Sequence, residues 1–126
     1  MRCLVEELMT SVEECIVLLK TDTINKFKAE IRSKNQRTAI VMDSRDSIVE
    51  GVITASDIVL AEPYDLVSDH WSVGAYTIEP DKPISIARKT MNEKKSHQLI
   101  VVDSDMHPLG IIWDHIANAG CIDKPT

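Results

Sequence analysis

Aromatic residues make up only 4% of the 126-residue chain: one Phe, two Trp and two Tyr. Rings at that frequency cannot fill a core, so Ile, Val and Leu must. Positive charge is also short. Fourteen Lys and Arg stand against twenty Asp and Glu, a formal net charge of −6. An acidic chain has no electrostatic footprint for DNA or RNA, whose binding needs clustered basic side chains, although a small basic pocket remains compatible with that balance. The cysteines, Cys3, Cys15 and Cys121, are odd in number and far apart. They give neither a disulfide framework nor Cys-x-x-Cys zinc spacing, and a reducing cytoplasm is the expected location. His70, His97, His107 and His115 are scattered without a His-x-x-x-His or Cys/His cluster, so no metal is expected. The longest apolar runs, such as 16–19 and 99–102, are too short to span a bilayer. The N-terminus turns acidic at Glu6 and Glu7 and lacks a signal-peptide core. No Ser/His/Asp or Cys/His arrangement points to a nucleophile, and no enzymatic activity is expected.

What is present is a globular composition, 44% hydrophobic and 27% charged, at a length that suits one domain. Leu4, Val5, Leu8 and Met9 form one side of a short lead-in helix. Ile16-Val17-Leu18-Leu19 reads as a buried strand. Asp22 and Thr23 offer caps for a helix whose apolar face is Ile24, Phe27 and Ile31. Ala39 to Met42 is a second strand, 43–47 a turn, and Val49 to Ile53 its hairpin partner. The segment Gly51-Val-Ile-Thr-Ala-Ser-Asp57 follows. It predicts a strand that ends at a helix start, with the helix running through Ile58, Val59 and Leu60 and stopping before Pro63.

The plan then repeats. Ile24, Phe27 and Ile31 recur sixty residues on as Ile84, Ala87 and Met91, behind Pro83. Residues 37–43 recur as 97–103, each strand ending in Asp, and Leu109-Gly110-Ile111-Ile112 repeats the third strand. The expectation is one module over 1–126 with repeats over 7–62 and 70–119. A unit of about 50 residues buries too little surface alone, so two must share a core.

These duplicated segments resemble the CBS-domain pair, or Bateman module. The resemblance rests on residues 37–43 and 51–57 in the first repeat, and on Tyr76 to Pro80, 97–103 and Gly110 to Ile112 in the second. It implies an α+β fold of tandem βαββα repeats, packed through their sheets about a pseudo-twofold axis. It also implies a regulatory module rather than an enzyme, of a kind that pairs into homodimers or sits fused to a channel, transporter or enzyme. A stand-alone homodimer with no required cofactor is expected here, while the acidic charge and the short apolar runs set nucleic-acid and membrane partners aside. The ligands it implies are adenosyl compounds: AMP, ADP or ATP foremost, or S-adenosylmethionine. By the same resemblance Asp57 takes the ribose hydroxyls, Thr54 faces the first phosphate, and Val52 lines the base pocket. Gly74, Ala75 and Tyr76 read the base with backbone groups, and Arg37 contacts phosphate. In the second cleft Trp113 and Ile116 replace the hydroxyl residue and the acid, so one competent and one blocked or repurposed cleft are expected. His115, beside Ile116, leans toward the phosphates of the intact site.

A plainer reading stands beside this one. Thr-x-x-Asp is also a capping box, and Thr54 and Asp57 then only order a helix start. The module would in that case be a ligand-free interaction unit with an apolar dimer face. Likewise Arg37 and His97 read as solvated helix-end residues, and Lys94 and Lys95 as the wet end of a helix.

Overall fold

The computed structural model describes residues 3–43 and 47–119. Helix α2 (Ile24–Lys34) forms because Ile24 and Phe27 share one buried face, and the Thr23 hydroxyl accepts the Lys26 N–H at 3.2 Å. Helix α3 (Ile84–Lys94) copies it, burying Ile84, Ala87 and Met91. Both helices end in a left-handed residue, Asn35 (φ 54°) and Lys95 (φ 53°). Strands β2 (Ile16–Leu19), β3 (Thr38–Met42) and β4 (Val49–Thr54) surround α2 in sequence; β6 (Thr77–Ile78), β7 (Gln98–Val102) and β8 (Pro108–Trp113) surround α3. β2 and β6 run parallel to β3 and β7, and each hairpin carries an irregularity at one place, Val41/Met42 and Val101/Val102.

Each sheet borrows its fourth strand from the other repeat. β1 (Thr10–Ser11) pairs with β8, and β5 (Ser72–Val73) pairs with β4, giving orders β1-β8-β7-β6 and β2-β3-β4-β5. Glycine permits both exchanges. A Cβ on Gly51 would overlap the Ser72 carbonyl oxygen and one on Gly110 the Thr10 carbonyl oxygen.

Alternation along the strands makes three apolar layers. Phe27, Ile24, Leu18, Val41 and Ile53 fill the space between α2 and its sheet; Leu99, Val101, Ile112 and Met91 do so under α3. Ile40, Ile100, Ile111 and Val102 face the other way and join the two sheets. The expected packing through the sheets about a pseudo-twofold is therefore the observed one.

Three points differ from the sequence reading. The lead-in, helix α1 (Val5–Leu8), belongs to the repeat rather than preceding it. Cys3 and Val5 bond to Ile84 and Lys82 at the start of α3, as Asp65 and Val67 bond to Ile24 and Asp22 at the start of α2. The helix expected beyond Asp57 is a four-residue 3-10 turn, Ala55–Ile58. Its continuation would have to bury Val59 and Leu60, which are 77% and 93% exposed. The chain instead crosses to α2, where the Pro63 and Asp65 carbonyls accept the Asn25 and Ile24 N–H groups. Cys3 is disulfide-bonded, where the sequence reading expected no disulfide framework. Distant cysteines leave no local spacing signal, which is why the sequence did not show it. Part of the 43–47 turn lies outside the described residues. No described helix is long and apolar enough to cross a membrane.

Candidate functional site

The exchange of β5 onto β4 creates a cleft of about 470 Å³. One wall is Val52, Thr54 and Asp57 at the end of β4; the second is Gly74, Ala75 and Tyr76, which continue from β5. The third wall is the end of α3 and the start of β7: Lys95, Ser96, His97 and Gln98. Six of the eight candidate residues thus meet in one place. Both repeats contribute, because the sheets pack face to face.

Within the cleft, Asp57 holds the turn with one oxygen. Its Oδ2 accepts the Thr54 N–H at 2.8 Å and the Thr54 hydroxyl at 3.0 Å. Oδ1 has no partner among the described residues, so half of the carboxylate is left for another donor. Across the cleft, the Gly74 N–H is spent on Glu50 and the Tyr76 carbonyl on Ile100. Ala75 keeps both its N–H and its C=O without a partner among the described residues. Gly74 takes φ +81°, a left-handed conformation that glycine adopts at little cost. The Tyr76 ring is half exposed, with Lys94 Nζ 5.6 Å from its centroid.

Arg37 and His115 lie elsewhere. They line the pseudo-symmetric second cleft, about 370 Å³, with Trp113 and Ile116. The reason is the same packing: the end of each first helix closes the cleft of the opposite repeat, so His97, not Arg37, stands at the Asp57 cleft. The Trp113 Nε1–H donates to Thr10 Oγ1 at 3.3 Å, which fixes the indole across this second cleft. Gln36 Oε1 is buried there without a partner among the described residues.

Sequence reasoning missed Lys95, Ser96 and Gln98 and set His97 aside. The signal was available: His97 is the repeat partner of Arg37, and the exchanged strands move that position to the other cleft. His97 Nδ1 lies 2.7 Å from Asp114 Oδ2, so its ring is oriented by the start of helix α4 (Asp114–Ala119). One group with metal-ligand geometry occurs among the described residues: Asp103, Asp105 and His107, whose ligating atoms lie within 4.8 Å of one another. The Asp103 carboxylate already accepts the Asp105 and His107 N–H groups and contacts the His107 ring at 3.2 Å, and these bonds close the β7–β8 turn.

The sequence model of the CBS domain matches residues 5–64 and 72–112, the two repeats seen in the fold. The chain belongs to the CBS-domain family. CBS pairs of known structure superimpose on it closely. The CBS domains of a transcriptional regulator from Streptococcus pneumoniae give a TM-score of 0.84 at 20% identity, over 93% of this chain and 98% of that one. The CBS domain pair of protein MJ0100, in complex with 5′-methylthioadenosine and S-adenosyl-L-methionine, gives 0.82 at 18% identity, over 94% and 95%. CBSX2, an Arabidopsis thaliana CBS-pair protein solved with AMP, gives 0.80 at 17% identity, over 92% and 93%. No curated protein matches this CBS pair in sequence.

Proposed function

We propose that this CBS pair is a regulatory module, not an enzyme, that binds an adenosyl nucleotide in the Asp57 cleft. The observation that carries the reading is the divided carboxylate. Asp57 Oδ2 is fixed by the Thr54 cap while Oδ1 is free to accept from a ribose diol. Opposite it, the unpaired N–H and C=O of Ala75 form a donor–acceptor pair of the kind an adenine edge requires. The volume falls in the range of small-molecule sites, about 300–1,000 Å³. Two structural neighbours were solved with adenosyl compounds, which supports the ligand class. In this reading Val52 lies against the base, and Thr54 and Ser56 present hydroxyls to the first phosphate. Trp113 and Ile116 leave the second cleft without a diol acceptor. The 3-10 turn after Thr54 is too short to lend a helix dipole, so phosphate recognition falls to side chains. The module pairs as a homodimer and no cofactor is required.

The ligand-free alternative has its own support, since the Thr54–Asp57 cap is fully formed. Asp57→Asn separates the two. The amide oxygen can still accept the Thr54 N–H, but its NH₂ replaces the second carboxylate acceptor. Thermal unfolding with AMP, ADP, ATP or S-adenosylmethionine at 100 times Kd should stabilise the native chain by about 2.7 kcal/mol. Asp57→Asn should keep the ligand-free stability within about 1 kcal/mol of the native value and lose the shift. An unchanged shift in Asp57→Asn would refute the site; no shift with any compound in the native chain would favour the ligand-free module.

A further inference from the structure

Two unlike surfaces flank the mouth of the Asp57 cleft. The first begins two residues beyond Asp57, where the 3-10 turn has ended at Ile58 and the chain crosses to α2. Val59, Leu60 and Tyr64 are largely exposed there. Large apolar side chains open to solvent within six residues form a patch, and a patch marks an interaction surface where single exposed residues do not. It is acidic as well as apolar. Residues 59–69 carry Glu62, Asp65 and Asp69 and no Lys or Arg. Asp65 is tied to His70 at 2.8 Å and Asp69 to the Leu66 N–H at 3.0 Å. The Glu62 carboxylate has no ion-pair partner among the described residues.

The second surface is a groove of about 730 Å³ at the end of α3, lined in part by Arg88, Lys89, Lys95, His97 and Asp114. Lys95, Ser96 and His97 line the Asp57 cleft too, so groove and cleft share a wall. Residues 88–95 hold four cations, Arg88, Lys89, Lys94 and Lys95, against one acid, Glu93, on a chain of net charge −6. The acid in the groove, Asp114, is tied to His97 at 2.7 Å. Arg88 Nη1 is anchored on the Ala117 carbonyl at 3.2 Å. Lys89 and Lys95 have no ion-pair partner among the described residues. Their aliphatic stems offer an apolar lining beneath the charges.

We infer that the patch and the groove are the two halves of one interface, and that the occupant of each is the other on a second copy of this chain. The inference rests on the homodimer proposed above and gives it surfaces and an orientation: the first repeat of one copy lies against the second repeat of the other. A twofold contact must be self-complementary, with residue i on j and j on i. Patch on patch would set two Glu62 carboxylates together, and groove on groove would set the lysines together. Patch on groove alone pairs opposite signs. Because the two surfaces flank one cleft, a twofold axis at its mouth makes both contacts at once. Leu60 and Tyr64 then cover the lysine stems of the second copy, and Glu62 meets its Lys89. The second copy's crossing also forms the outer wall of the Asp57 cleft.

Sedimentation equilibrium of charge-reversed variants tests it. Glu62→Lys and Lys89→Glu should each weaken the dimer about tenfold or more, since each puts like charges together at both contacts. The double variant Glu62→Lys/Lys89→Glu restores opposite signs and should dimerise within about threefold of the native chain. Both side chains are exposed, so the circular dichroism spectrum should stay native in every variant. Copies carrying Leu60→Cys and copies carrying Lys89→Cys, mixed, should cross-link to each other through a short thiol reagent. Cys3 is disulfide-bonded and Cys15 buried, so neither competes. Single reversals that leave the dimer intact overturn the interface but not the homodimer, because like-on-like pairing keeps the same repulsion after reversal. So does a double variant no better than the singles, or cross-linking of Leu60→Cys copies only to themselves. A native chain that is monomeric at high micromolar concentration overturns the homodimer, and the interface with it.

Discussion

Gly51→Ala is the most direct test of the strand exchange that builds the cleft. The new Cβ would overlap the Ser72 carbonyl oxygen and lie 2.8 Å from Trp71 Cε3, where ordinary contact begins at 3.4 Å. The ring must therefore move by more than half an ångström and the β5 backbone by more, because the overlap there is with main chain. Overpacking of this kind costs about 1–3 kcal/mol. Displacing β5 also strains its pairing with Gly51 and Val52 and the 2.8 Å bond from Gly74 N–H to Glu50, at about 1 kcal/mol per bond lost. Replacing glycine within a strand returns about 0.5–1 kcal/mol through the unfolded chain. The net expectation is a loss of about 2–4 kcal/mol, a fall in Tm of about 8–16 °C. Urea unfolding followed by circular dichroism measures it, with the midpoint falling and m unchanged. Gly74→Ala is the control: nothing lies within 4 Å of its Cβ, so only the left-handed backbone resists, at about 1 kcal/mol. A Gly51→Ala loss below about 0.5 kcal/mol, or one no larger than that of Gly74→Ala, would refute the close approach as the basis of the exchange.

Cys15 gives a pH prediction. Burial between the sheets pushes its thiol from an ordinary 9.0 up to about 11, with the nearby Lys34 ammonium only partly opposing. The folded state thus holds the thiol neutral; its contribution is intact below pH 9 and is lost as pH rises toward 11. By pH 11 that loss is about 2–3 kcal/mol, and Cys15→Ala should unfold without this alkaline component. An identical alkaline fall in the variant would assign it to other groups. The proposed homodimer has a separate test. Val59, Leu60 and Tyr64 are 77%, 93% and 86% exposed, the largest apolar exposure around the 3-10 turn. Sedimentation should show a dimer that Leu60→Glu dissociates, with little change in monomer stability because the side chain packs on nothing. A native chain that sediments as a monomer at high micromolar concentration would remove the dimer.

The elements with tertiary burial were legible because their apolar spacing has a period. Ile24/Phe27/Ile31 and Ile84/Ala87/Met91 predict both long helices, and the paired runs predict both hairpins. The third expected helix failed because Val59 and Leu60 are apolar but find no surface to cover. Periodicity cannot distinguish a face that is buried from one left open. The lead-in was legible in principle: Leu4-Val5-Glu6-Glu7 recurs as Leu66-Val67-Ser68-Asp69, sixty-two residues on. That offset differs from the sixty of the helices, and a search at one fixed spacing passes over it. For the site, residues local to one segment were gathered as expected. Arg37 and His115 were not, because which helix end closes which cleft is decided by the exchange of β1 and β5, a long-range pairing with no local trace.

The two readings of Thr54 and Asp57 come to the same physical question, which is what the second carboxylate oxygen does. A cap needs one acceptor oxygen, and Asn would serve a cap as well as Asp. A ribose needs a second, oriented acceptor, and orientation is what the cap supplies. By binding the Thr54 N–H and hydroxyl, Oδ2 fixes the carboxylate plane and leaves Oδ1 in a set direction before any ligand arrives. The entropy of ordering that side chain is already spent in folding, so it is not charged against binding. The second repeat makes the comparison internal to the chain. There Trp113 and Ile116 remove the cap and the acceptor together, and the helix that follows, α4, persists regardless. A helix start at this place in the fold therefore does not depend on a Thr–Asp cap, and the pair at Thr54 and Asp57 is left needing a reason beyond capping.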